Sequence, residues 1–172
     1  MMKLTIVPPI DVFPSDDFLA GAIGRGIHNL TVEHFRARNQ RSAGTRVMPK
    51  SNYYQDAAES TSVQVDKSTA IVNVDKEGLA LHYYGGTVLP KKKALAIPLS
   101  PIVAGIWPSE APGNLDLFWP KNSSHGFLKD SNSSEILYLL VPKVTIRADK
   151  NVLPTDEEYY SAAQEAILEA MS

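Results

Sequence analysis

Six consecutive residues, Ile136, Leu137, Tyr138, Leu139, Leu140 and Val141, leave no polar face. A run that short and that apolar reads as a strand in the middle of a sheet, covered on both sides. Pro142, which has no amide hydrogen to donate, ends or bulges it, and Val144, Thr145 and Ile146 resume the extended pattern. Whatever else the chain does, it must build a sheet with an interior.

Helical patterns stand near the two ends. Ser15 is placed to cap a first helix, Asp16 and Asp17 put negative charge on its first turn, and Arg36, Arg38 and Arg41 put positive charge near its other end. Leu19, Ile23, Ile27, Leu30 and His34 recur at intervals of three and four, an apolar stripe for packing on a sheet. Gly21, Gly24 and Gly26 each weaken that helix by about 1 kcal/mol relative to alanine, so the pattern predicts close approach by a neighbour or a helix held mainly by packing. The last helix opens on Thr155-Asp156-Glu157-Glu158 after Pro154, a capping box in which the threonine hydroxyl and the Glu158 carboxylate each satisfy a free amide. Tyr159, Ala163, Ile167 and Ala170 give it a narrow, alanine-rich stripe suited to close packing.

Between these helices the chain alternates. A short helix is expected near 54–59, and a β-hairpin from 62–65 and 69–74 around Asp66-Lys67-Ser68. A second short helix, 77–84, should stop at Gly85-Gly86, where glycine accepts positive φ at little cost. Residues 87–89 and 94–98 then predict a second hairpin with Lys91, Lys92 and Lys93 at its tip. Residues 99–134 hold Pro101, Pro108, Pro112 and Pro120, and are expected to form an irregular excursion with one or two short strands, outside the sheet centre. Residues 1–14, with Pro8, Pro9 and Pro14, read as an extended arm with a short strand near 3–7, and residues 39–52 as a flexible basic loop. The sum is one α+β domain over 1–172, a mostly antiparallel twisted sheet packed against a long N-terminal helix and a C-terminal helix, with extended loops and a β-hairpin excursion.

The residues exclude more chemistry than they offer. With no cysteine, disulfide frameworks and cysteine-ligated zinc or iron–sulfur sites are ruled out. His28 and His34 lie six residues apart, which puts them on different faces of a helix, so no metal is expected. There is no nucleophile elbow, phosphate loop or dinucleotide fingerprint, and Gly21-Ala22-Ile23-Gly24-Arg25-Gly26 falls inside a helical pattern rather than after a strand. The acidic pairs Asp16-Asp17 and Glu157-Glu158 are explained by capping. No catalytic residues and no cofactor are expected. Seventeen basic against nineteen acidic residues speak against a surface given over to nucleic acid, while local basic patches remain: Arg36, Arg38, Arg41 and Arg46, and the three lysines. No stretch approaches the roughly 20 apolar residues that span a bilayer, so a soluble, cytoplasmic chain is expected. Tyr83, Tyr84, Trp107 and Trp119 are the candidate interface residues, since large amphipathic rings suit contacts with a partner.

Taken in series, several strings carry a family resemblance. His82, the pair Gly85-Gly86, the strand Thr87-Val88-Leu89, the basic turn Lys91-Lys92-Lys93 and then Ala94-Leu95-Ala96-Ile97-Pro98 are followed by Leu115-Asp116-Leu117-Phe118, by the run from Leu137 through Pro142 to Ile146, and by Leu153-Pro154-Thr155-Asp156-Glu157-Glu158, with His34-Phe35 near the end of the first helix. In order and spacing, across about residues 16–170, the chain resembles the virion morphogenesis (tail completion) proteins of Mu-like phages and prophages. The resemblance implies a small α+β protein of the head–tail junction that assembles as a ring, often of six subunits, with neck and tail-tube proteins as partners and no catalytic residues. It implies a place in the virion, and in the host bacterial cytoplasm during assembly. Where many relatives carry a Pro-x-Arg-Pro-Phe-type segment, this chain has Arg147-Ala148-Asp149-Lys150-Asn151, which marks a subgroup. On this reading Lys91, Lys92 and Lys93 form an assembly or DNA-facing surface. A nucleic-acid-binding module using the two basic segments is the alternative, and an enzyme built on His82 with a distant acid is a third.

Overall fold

The computed structural model describes residues 14–42 and 51–172. The expected arm and its strand at 3–7, apart from Pro14, lie outside the described residues, as do residues 43–50 of the expected basic loop, Arg46 among them. The order of elements is α1 (Asp16–Arg41), α2 (Tyr53–Glu59), β1 (Thr61–Asp66), β2 (Thr69–Val74), α3 (Leu79–Tyr84), β3 (Gly86–Val88), β4 (Leu95–Pro98), a 3-10 turn (Pro101–Val103), β5 (Leu115–Phe118), β6 (Gly126–Asp130), β7 (Ile136–Val141), β8 (Val144–Ile146), a second 3-10 turn (Lys150–Val152) and α4 (Asp156–Met171). All strand pairs are antiparallel. The fold is α+β, with the long N-terminal helix and the C-terminal helix expected.

Helix α1 starts where its cap requires, with the Phe18 amide donating to Ser15 Oγ, and runs through Arg41, so the first residues assigned to the loop at 39–52 are helical and Asn39 is buried. Its buried positions include Ala20, Ala22, Gly24, Thr31, Val32 and Phe35, whereas the expected stripe of Leu19, Ile23, Ile27, Leu30 and His34 is only half-buried. The reason is that α1 is packed on several sides: α4 lies along one, α2 and the β1–β2 ribbon along others. At two of the three glycines the approach is close. A methyl group on Gly24 would come within 2.7 Å of Ala70 Cβ, and one on Gly26 within 2.8 Å of Ala166 Cβ and 3.0 Å of the Ala162 carbonyl. Gly21 faces no backbone, only the Arg25 side chain at 3.4 Å. Val32, Phe35, Ala57, Ala58, Leu79 and Val152 close this helical core, with Tyr53, Tyr54, Val74, Tyr83 and Leu153 around it. The capping box of α4 is present on both sides, the Thr155 amide donating to Glu158 Oε2 (2.7 Å) and the Glu158 amide to Thr155 Oγ1 (3.3 Å).

The larger sheet has the order β4-β7-β6-β5, and β7 is interior as its composition demands. Leu137 and Tyr138, neighbours in sequence and therefore on opposite faces, are both buried. The Tyr138 hydroxyl donates to the Ile106 carbonyl (3.0 Å), which ties the segment after β4 to this core. Val103, Ala96, Ala111, Leu115 and Leu128 complete it.

Two expectations need correction. Residues 99–134 do contain two strands, but they form no excursion outside the sheet: β6 is interior to it and β5 is its edge. The four prolines are accommodated because every one of them lies outside the strands. Likewise, β3 and β4 do not form a hairpin with each other. Gly86 faces Ile146 and Val88 faces Val144, and then Leu95 faces Val141 and Pro98 faces Tyr138. The chain thus runs in one direction along a single β7–β8 ribbon, and residues 89–94 loop out opposite Pro142 and Lys143. Proline at 142 has no donor to offer there, so the ladder is interrupted on one strand and the other is released.

Candidate assembly surfaces

Lys91, Lys92 and Lys93 are exposed, and they occupy the loop of residues 89–94 rather than a hairpin tip. They therefore stand beside the junction between β3–β8 and the four-stranded sheet. The carbon stems are free to move, and the charge is concentrated over three successive residues.

The tyrosine pair is divided between two roles. Tyr83 packs against the helical core, while Tyr84 is 71% exposed. Their rings meet edge to face at 4.8 Å, and Lys150 Nζ lies 3.9 Å from the centroid of Tyr83 and 4.6 Å from that of Tyr84. Gly85, at φ 75°, turns the chain from α3 into β3 directly behind them, where a Cβ would meet the Ala148 amide nitrogen at 2.7 Å. Ala148 and Lys150 thus both lie against this corner, one behind Gly85 and the other over the two rings.

The tryptophans also differ. Trp107 is 72% exposed and follows Ile106, whose carbonyl is held by Tyr138, so a fixed stem presents a free ring. Trp119 lies flat on its own hairpin: its indole N–H donates to the Ser123 carbonyl (2.9 Å), and a Cβ on Gly126 would fall 2.3 Å from the ring. The ring is half exposed, as are Leu117 and Phe118 before it, which point to opposite faces of the strand. The sequence reading did not single out Leu117 and Phe118. The available signal was the failure of Leu115-Asp116-Leu117-Phe118-Trp119 to alternate, which leaves apolar groups on whichever face is outside.

Of the arginines at the end of α1, Arg38 is committed within the fold, while Arg36 and Arg41 are exposed. Arg38 pairs with Asp149, donates to the Asn151 carbonyl (3.0 Å) and lies over the Tyr54 ring at 4.8 Å. Hydrogen bonding from Arg38, aided by the Asn151 amide, holds the Asp149 carboxyl below the usual carboxylate range. His34 Nε2 reaches the same Asn151 carbonyl at 3.0 Å. These groups, with Ala37, Arg41 and Ser42, line an open cleft of about 540 Å³. His82 packs beside Tyr53 and Tyr54, tilted to the first and edge-on to the second, with centroids at 5.0 and 6.5 Å. Among the described residues, no three His, Asp or Glu side chains converge in a way that could hold a metal ion, and no helix is long and apolar enough to cross a membrane.

Comparison of the chain with family models, with curated proteins and with solved structures yields no match.

Proposed function

We propose that the chain is a non-enzymatic structural protein of phage or prophage particle assembly, acting in tail completion or head–tail joining as a ring-forming subunit. The observation that carries this reading is a set of large rings left exposed on well-held backbone, Trp107 at 72% and Tyr84 at 71%. Exposed rings of this kind are ordinary in a subunit that a partner covers and are a solubility liability in a solitary one. The sequence resemblance supplies the kind of partner: further copies of the chain, and neck and tail-tube proteins. Trp107 and Tyr84, each free on a fixed stem, are the rings proposed to anchor such contacts. The virion is the proposed location, reached from the host cytoplasm.

Particles assembled without the protein test this directly. Electron microscopy is expected to show heads and tails that fail to join, and light scattering of the purified chain an oligomer; normally joined particles and a strict monomer would overturn it.

A second reading, contact with nucleic acid, is favoured by one specific feature, the three lysines on a loop released from the ladder. Its mark would be DNA affinity that falls steeply with salt and is reduced by replacing Lys91, Lys92 and Lys93 with glutamine.

A further inference from the structure

The two edges of the four-stranded sheet are not equivalent. Edge strand β4 follows three lysines and contains Pro98, the devices that keep an edge from pairing. Edge strand β5 holds no proline and a single charge, Asp116, and Pro120 and Lys121 come only after it. Among the described residues no strand pairs with its outer side, and Leu117 there is 64% exposed.

The backbone of β5 says how it could be extended. The Ser131 amide donates to the Asn114 carbonyl (2.9 Å), so the pair Leu115–Asp130 is of the kind without direct hydrogen bonds. Leu115 and Leu117 therefore direct their N–H and C=O groups away from β6, toward solvent.

We propose that this edge pairs with β5 of a second copy, antiparallel, about a two-fold axis at Leu117. In that register Leu117 faces Leu117 and Leu115 faces Trp119, so the apolar groups of that face cover one another, while Asp116 faces Phe118 on the other. An axis at Asp116 would instead set two carboxylates opposite each other, which cross-strand pairing disfavours. Beyond the strand, the axis at Leu117 carries Lys121 toward Gly113 of the second copy, and there the Asp130 Oδ2 lies 2.8 Å from where a Gly113 Cβ would stand. The two-fold repeats this charge pairing at both ends. Pairing β5 with β4 of the second copy fails the same comparison, because antiparallel alignment brings Lys91, Lys92 and Lys93 toward Lys121. The contact is isologous, so it closes on two subunits and is separate from any ring made by other surfaces.

The natural absence of cysteine makes the test clean. Leu117→Cys, as the only thiol, is expected to form a disulfide-linked dimer under mild oxidation, since facing Cα atoms about 5.5 Å apart lie within bridging range. Leu168→Cys on α4, at 69% exposure, is the control and is expected to remain monomeric on the same gel. In the cysteine-free chain, Leu117→Lys should abolish the two-fold species by sedimentation while leaving the circular dichroism melt unchanged, and Lys121→Glu should raise its dissociation constant several-fold. Cross-linking at 117 no faster than at 168, or faster at Asp116→Cys than at 117, would overturn the proposal. A ring that persists in Leu117→Lys keeps the assembly reading alive even then, so the two can fail separately.

Discussion

In the helical half, burial is achieved by bringing backbones together. Helix α1 is flanked by α4, α2 and the β1–β2 ribbon, and at Gly24 and Gly26 its neighbours come so near that a single methyl group would collide with them. In the four-stranded half, burial depends on a few large side chains, chiefly Tyr138, whose ring is enclosed and whose hydroxyl ties down the loop before Trp107. The first arrangement tolerates little change in volume where the backbones meet, although Leu168 and Met171 on α4 stay exposed. In the second, apolar groups reach the surface at the edge strand β5. The contrast teaches that close backbone approach and an open strand edge belong to different parts of the molecule: the one resists changes of volume, the other leaves backbone donors and acceptors to be covered.

The largest expected effect tests whether the halves unfold separately. Phe35 is fully buried among the helices, and Phe35→Ala should cost about 3–5 kcal/mol by chemical denaturation. Hydrogen exchange should show the loss of protection concentrated in α1, α2 and α4; equal loss in β6 and β7 would mean that the halves form one cooperative unit. Next come the glycines. Gly26→Ala should destabilise by about 1–3 kcal/mol in spite of alanine's better helix propensity, because α4 must move away. Gly21→Ala, with only a flexible side chain nearby, should stabilise by up to about 1 kcal/mol. Equal signs at the two positions would refute the close-approach account. On the sheet side, Tyr138→Phe removes one hydrogen bond to Ile106 and should cost about 1 kcal/mol, with faster exchange in residues 104–108.

The smallest effect is a pH dependence. The Thr155 amide holds the Glu158 carboxyl below its ordinary range, as Arg38 does for Asp149. Groups lowered in the folded state add stability that is complete above their unfolded values, about 4, and is lost as pH falls through the folded ones. Glu158→Gln should therefore flatten the acid limb of the stability curve while leaving that of Asp149, and identical curves would show that the box does not contribute.

Much of this was legible in advance where the cause is local. The Ser15 cap, the Thr155–Glu158 box, the β1–β2 hairpin and the stop at Gly85 each follow from residues within a few positions of one another, since capping, turning and φ preference act over that range. The interior position of β7 was legible too, because a strand apolar on both faces has nowhere else to go. Of the candidate interface rings, Trp107 and Tyr84 are exposed, Tyr83 is partly core and Trp119 is half-spent on its own hairpin, differences set by what each ring meets in space. Partnership between strands distant in sequence was not readable, because backbone donors and acceptors are the same at every residue and do not announce their mates. Hence the lysines sit on a loop between two sheets instead of a hairpin tip, and a segment punctuated by prolines supplies half of the larger sheet. The side of α1 that is buried most deeply was likewise set by how many neighbours it acquired. By itself the sequence determined the caps, the breaks and the demand for a buried strand; the tertiary structure alone decided which edges pair and which is left open, since that depends on groups far apart in the chain meeting in space.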